Sequence, residues 1–172
     1  MRTIIATLLC SLALLAADPL RRAPGFSLPD LMTKQHDLAD FRGKVVVLEF
    51  MQTTCPHCVA FTAALDKVRQ KYGDKVAIVA IVNPPDDQGK VAAFTVDHKI
   101  GYPILFDCGQ VAYSYLLSVQ FEPPQVFLIN GDGMIQNHFE YGATTRDIFE
   151  GNGLVPEIER LFAPAAGAPE KK

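Results

Sequence analysis

The chain has 172 residues, 49% of them hydrophobic and 20% charged, with a formal net charge of −3 at pH 7. That size and apolar content suit one globular domain with a sizeable core. The slightly acidic balance lacks the basic patch that a phosphate backbone requires, so a nucleic-acid partner is not expected.

Residues 1–17 read as an export signal: Arg2 gives a positive start, Ile4 to Leu15 an apolar stretch, and Ala16-Ala17 small residues before a cleavage site. The stretch is too short for a membrane span, and no stable insertion is expected after cleavage. Cleavage removes Arg2 and moves the net charge from −3 to −4. It also removes Cys10, whose lipid modification is a competing idea that bulky Leu9 disfavours. Of four cysteines, Cys55, Cys58 and Cys108 remain, and Cys108 has no obvious partner.

A linker from Asp18 to Gly25 leads to a hairpin, with Phe26-Ser27-Leu28 and Gln35-His36-Asp37-Leu38 around Thr33-Lys34. Arg42-Gly43-Lys44 punctuates before a first long strand, Val45 to Met51, and a second apolar run follows at Val76 to Val82. Between them Cys58, Phe61, Leu65, Val68 and Tyr72 form one helical stripe. Strand, helix, strand with apolar strands implies parallel pairing with both faces covered. Asp86-Asp87 can cap a helix that runs to about Ile100 with Gly101 as its stop, and Tyr102 to Phe106 reads as a strand. Val111, Ala112 and Tyr115 suit a short helix. Gln125 to Asn130 and Met134 to Tyr141 form a strand pair around Gly131-Asp132-Gly133. A terminal helical region starts at Thr144-Thr145, is interrupted at Gly151-Asn152-Gly153 and restarts at Pro156. From residue 163 to 172 the composition predicts a disordered tail.

The chemistry is expected at Cys55-Pro56-His57-Cys58. Cys55 falls at a helix start, where free N–H groups and the dipole favour a thiolate, the nucleophilic form. Pro56 suits the first turn, and His57 is a candidate cationic neighbour or an exposed helix-start residue. Cys55 would attack a substrate disulfide and Cys58, pointing inward, would resolve the mixed disulfide. That step needs a base. Glu49, an acid inside an otherwise apolar strand, fits; the alternative is an edge position facing solvent. A zinc site would need two more ligands at matching spacing, and only Cys108 and scattered histidines are on offer.

Four pieces together resemble the exported thioredoxin-fold reductases of the TlpA/ResA type, within the redoxin (AhpC/TSA) superfamily. They are residues 23–30, residues 41–47, the Cys55–Cys58 motif, and Pro124 to Gly133. The resemblance spans roughly Ala23 to Phe162 and implies one thioredoxin-like domain over residues 18–162: a central mixed β-sheet flanked by helices, with an N-terminal hairpin extension. It implies a nucleophilic Cys55, a resolving Cys58, and a cis-proline loop at Pro124, with Pro123 before it, that binds extended substrate. Glu49, six residues before Cys55, matches the buried acid of thioredoxin. Three departures stand out: Thr54 where Trp is usual, Pro123 where Thr or Val is usual, and a Pro-His dipeptide like that of the oxidising DsbA. Fold and dipeptide thus point to opposite redox directions.

The expected function is thiol-disulfide exchange in the periplasm or cell envelope, with protein thiol or disulfide substrates and a redox partner protein, and with no cofactor or metal. Two alternatives share the fold. A Sco-like copper carrier would use both thiols and a distant histidine such as His138, but that family spaces its cysteines by three residues. A peroxiredoxin-like peroxidase would show Pro-x-x-x-Thr-x-x-Cys, which neither Cys55 nor Cys58 completes.

Overall fold

The structure, a computed structural model, describes residues 21–162. The expected signal segment, with Cys10, and the expected tail lie outside the described residues. In chain order the elements are β1 (Ser27–Pro29), β2 (Gln35–Asp37), β3 (Val45–Met51), α1 (Pro56–Tyr72), β4 (Val76–Val82), α2 (Gln88–Asp97), β5 (Ile104–Phe106), α3 (Gln110–Leu116), β6 (Gln125–Ile129), β7 (Ile135–Glu140), α4 (Arg146–Glu150) and α5 (Leu154–Phe162). Among the described residues no helix is long and apolar enough to cross a membrane.

The sheet order is β5-β4-β3-β6-β7. β3 pairs in parallel with β4, as a helical crossover requires, and β4 in parallel with β5. β6 and β7 run antiparallel on the other side of β3. β3 is therefore central, and all its residues are buried. Its period-2 alternation divides the core. Val45 and Val47 pack with Phe61, Leu65 and Val68 of α1, Phe149 of α4 and Ile158 of α5. Val46, Leu48 and Phe50 pack on the opposite face with Leu105, Tyr115 of α3 and the N-terminal Ala23 and Phe26. Each fully buried Phe or Leu contributes roughly 1.5–3 kcal/mol. The hairpin β1–β2 lies at the β5 edge, where Asp30 bridges Leu105.

Boundaries differ from the sequence reading in places with a local cause. Only Asp87 caps α2, accepting from Lys90 N–H at 2.9 Å. The helix gives way at His98 and Lys99, the latter left-handed at φ +52°, before Gly101 is reached. β5 starts at Ile104, after Pro103, which has no N–H to pair but whose carbonyl accepts from Ala80 N–H at 3.0 Å. α5 begins at Leu154, with Pro156 its third residue. The break before it needs glycine: Gly151 and Gly153 N–H both reach Asp147 O at 3.0 Å, so close that a Cβ at either position would collide with Asp147.

Candidate active site

Cys55 is the N-cap of α1, and its sulfur accepts the Cys58 N–H at 3.3 Å. Pro56 occupies the first turn. Both thiols are free and buried, Cys55 9% and Cys58 1% exposed. The loop before them is clamped from outside. Asp86, read from sequence as a helix cap, instead takes the Thr53 N–H at 2.7 Å and the Thr53 hydroxyl at 2.6 Å. Facing Cys55 is the Pro123–Pro124 loop, whose joining peptide is cis, and the Cys55 thiol donates to Pro123 O at 3.6 Å.

Glu49 is 1% exposed on the central strand, so the solvent-facing alternative does not apply. Among the described residues neither of its carboxylate oxygens has a hydrogen-bond partner, and burial pushes its carboxyl up to about 8. Burial also pushes the Cys58 thiol up, and the Glu49 charge adds to the rise. Because the Glu49 charge disfavours the Cys58 thiolate, a proton lost by one group favours its uptake by the other.

Tyr102 completes this interior, and sequence reasoning missed it. Glu49, Ala80 and Ile104 form one row across β3, β4 and β5. The small Ala80 leaves room there, and Tyr102, two residues before Ile104, packs against this face of the sheet. Its hydroxyl is buried, with no partner among the described residues. Burial, then the Glu49 and Cys58 charges, raise its phenol. The only sequence signal was a large polar aromatic at the mouth of an apolar strand.

His57 lies one residue past Pro56, but its ring is stacked on Tyr141 with centroids 3.6 Å apart, and Nδ1 is 3.8 Å from Glu150 Oε1. Glu150 is also held by Tyr141 hydroxyl at 2.6 Å and Arg146 Nε at 2.7 Å. The imidazole is thus engaged by Tyr141, just after β7, and by Glu150 of α4. Cys108 is exposed and shares a cleft with Gln52, Asn83 and Tyr113. His138, the copper-ligand candidate, is bonded through Nε2 to Gln125 Oε1 at 2.7 Å. Among the described residues no group of three His, Cys, Asp or Glu side chains is placed to hold a metal ion.

The AhpC/TSA family profile matches residues 19–138. The chain is similar to the thioredoxin-like protein YneN of Bacillus subtilis, 30% identical over 119 residues that cover 68% of each protein. It is similar to the thiol-disulfide oxidoreductase ResA of Bacillus thuringiensis, 27% identical over 131 residues covering 76% of this chain and 73% of that one. A crystal structure assigned as the thiol:disulfide interchange protein DsbE of Chlorobium tepidum aligns with a TM-score of 0.71 over 84% of this chain and 97% of its own, at 23% identity, a likeness of fold.

Proposed function

The chain belongs to the AhpC/TSA family and is a thiol-disulfide oxidoreductase of thioredoxin-like fold, and from that premise we propose that it is exported and exchanges disulfides with protein substrates through Cys55 and Cys58. The observation that carries this reading is the pair itself: two free, buried thiols at the start of α1, with the Cys55 sulfur capping the helix by accepting the Cys58 N–H. Cys55 thiolate attacks one sulfur of a substrate disulfide; that S–S bond breaks, the mixed disulfide forms, and the departing thiolate takes up a proton. Cys58 then passes its proton to Glu49 and attacks the Cys55 sulfur. The second substrate thiolate leaves and takes up a proton, the substrate keeps the two electrons as a dithiol, and the oxidised Cys55–Cys58 disulfide remains until a redox partner protein returns two electrons and restores the thiols. The same steps in reverse oxidise a substrate.

His57, when protonated, adds positive charge near the helix start. Pro123 and Pro124 receive the substrate segment. Residues 1–17 act as the export signal, 18–162 as the working domain and 163–172 as a tail. The experiment is trapping with a protein disulfide. Cys55→Ser should abolish exchange, Cys58→Ser should accumulate the mixed disulfide, and Cys108→Ser should turn over normally. Normal turnover by Cys58→Ser with a dead Cys108→Ser would overturn the assignment.

A further inference from the structure

Cys108 takes no part in the exchange steps above, yet its thiol is free, exposed and part of the wall of a cleft of about 540 Å3. The backbone that carries it is pinned. Buried Asp107 donates its N–H to Val82 O at 3.0 Å, and its carboxylate accepts the Val111 N–H at 2.9 Å and the Ala112 N–H at 3.1 Å. Gly109, left-handed at φ +98°, then turns the chain into α3. One step past the Val82–Phe106 pair of the parallel β4–β5 ladder, Asn83 comes opposite Asp107 and so beside Cys108. Asn83 lines the same cleft and is 7% exposed, and its Oδ1 has no partner among the described residues. A buried acceptor left in this way is destabilising until a donor meets it. Ala112, Leu116 and Phe121 give the cleft apolar walls, and neither Cys55 nor Cys58 lines it.

We propose that this cleft is a second thiol site: it takes a small cysteinyl peptide as a mixed disulfide on Cys108, with one peptide N–H donating to Asn83 Oδ1. The peptide arrives in its disulfide form. Cys108 thiolate attacks one of its sulfurs; that S–S bond breaks, the Cys108–peptide disulfide forms, and the departing peptide thiolate takes up the proton that Cys108 gave up. The Cys108 sulfur is oxidised and the departing sulfur reduced, so the peptide disulfide is the only oxidant needed, and excess peptide thiol reverses the step. A disulfide without an N–H near its sulfur lacks the contact to Asn83. The occupant also reaches toward the exchange site. Gln52 lines the cleft while its carbonyl accepts the Cys55 N–H at 3.1 Å, and Phe121 lies two residues before Pro123. An occupied cleft therefore crowds both loops that frame Cys55 and slows the entry of a protein substrate. This last effect rests on the disulfide-exchange reading above; the capture of the peptide does not.

The test uses the full chain carrying Cys55→Ser and Cys58→Ser, equilibrated with N-acetylcysteinamide and its disulfide, with the adduct on Cys108 read by peptide mass spectrometry. That adduct should be favoured about tenfold over the one on a short reference peptide of the sequence around Cys108, the worth of one net hydrogen bond. 2-Hydroxyethyl disulfide, which carries no N–H, should show no such preference. Asn83→Ala should bring the amide probe down to the hydroxyethyl level. Equal behaviour of the two probes on the unaltered cleft would overturn the proposal, as would a preference that survives Asn83→Ala. For the effect on exchange, Cys108 of the parent is alkylated with N-iodoacetylglycinamide while Cys55 and Cys58 are held as the disulfide, giving a thioether that exchange cannot remove. After reduction of the pair, its rate of insulin disulfide reduction should fall several-fold, and Cys108→Ser taken through the same treatment should keep its rate. An alkylated parent as fast as the untreated one would overturn that effect. If the untreated protein reduces no insulin while the tenfold preference at Cys108 holds, the exchange reading fails and the second thiol site stands.

Discussion

Asp30, just after β1 at the sheet edge, and Glu49, in the middle of β3, are acids of one domain in opposite surroundings. Asp30 Oδ1 accepts the Met32 N–H at 2.8 Å and the Lys34 N–H at 3.0 Å, and Oδ2 lies 2.8 Å from His36 Nε2. These partners, His36 foremost, hold its carboxyl below the usual value. Glu49 has no partner among the described residues, and burial raises its carboxyl to about 8. A carboxylate with both oxygens engaged closes a turn; one left alone in an apolar interior is costly as a charge and available as a proton carrier. The same contrast divides the molecule. The hairpin end satisfies its polar groups, while the thiol end keeps Glu49 and the Tyr102 hydroxyl unpaired.

The largest test of that contrast is the pH dependence of stability. The folded-state pKa of Glu49 is raised, so the folded chain holds a proton that the unfolded chain releases between about 4.5 and 8. Stability should fall as pH rises through that window. Glu49→Gln removes the effect, and its stability relative to the parent should rise by about 4 kcal/mol from pH 4 to pH 8. Denaturant melts at both pH values measure it; a constant difference would mean that Glu49 finds a partner. Asp30 has the opposite sign. Its pKa is lowered, so its contribution is present above the ordinary carboxylate range and lost as pH falls through the lowered value.

Asp86→Ala should come next, costing about 2 kcal/mol, because it strips two hydrogen bonds from Thr53 and leaves a partly buried N–H unpaired. It should also slow the first attack, since Thr53 lies two residues before Cys55. Unchanged attack kinetics would show that the clamp is structural only. Asp30→Ala should cost about 1 kcal/mol through the opened hairpin turn and leave exchange kinetics as in the parent. A slowed exchange would erase the distinction between the two ends.

Much of this was legible in the sequence because it rests on local pattern. The apolar runs set β3 and β4, the three-and-four spacing of Cys58 to Val68 set α1, and an acid within β3 announced its own burial. What the sequence did not reveal are contacts between distant segments. His57 is turned to Tyr141 and Glu150 because α4 packs on α1, which no residue near the cysteines encodes. Tyr102 packs on the face that carries Ala80 and Ile104, close enough to feel the Glu49 charge. Asp86 looked like a cap because acids before helices often are, and it is the tertiary position of Thr53 that claims it.

The most direct test of Glu49 as the proton acceptor for Cys58 is stopped-flow separation of the two exchange steps across pH in the parent and in Glu49→Gln. In the parent, resolution of the mixed disulfide should accelerate as pH rises through about 8, where Glu49 ionises and can take the proton. In Glu49→Gln that step should be slower by about a hundredfold and lose the inflection, with the first attack by Cys55 unchanged. Equal slowing of both steps, slowing of neither, or an inflection that survives the substitution would contradict the account.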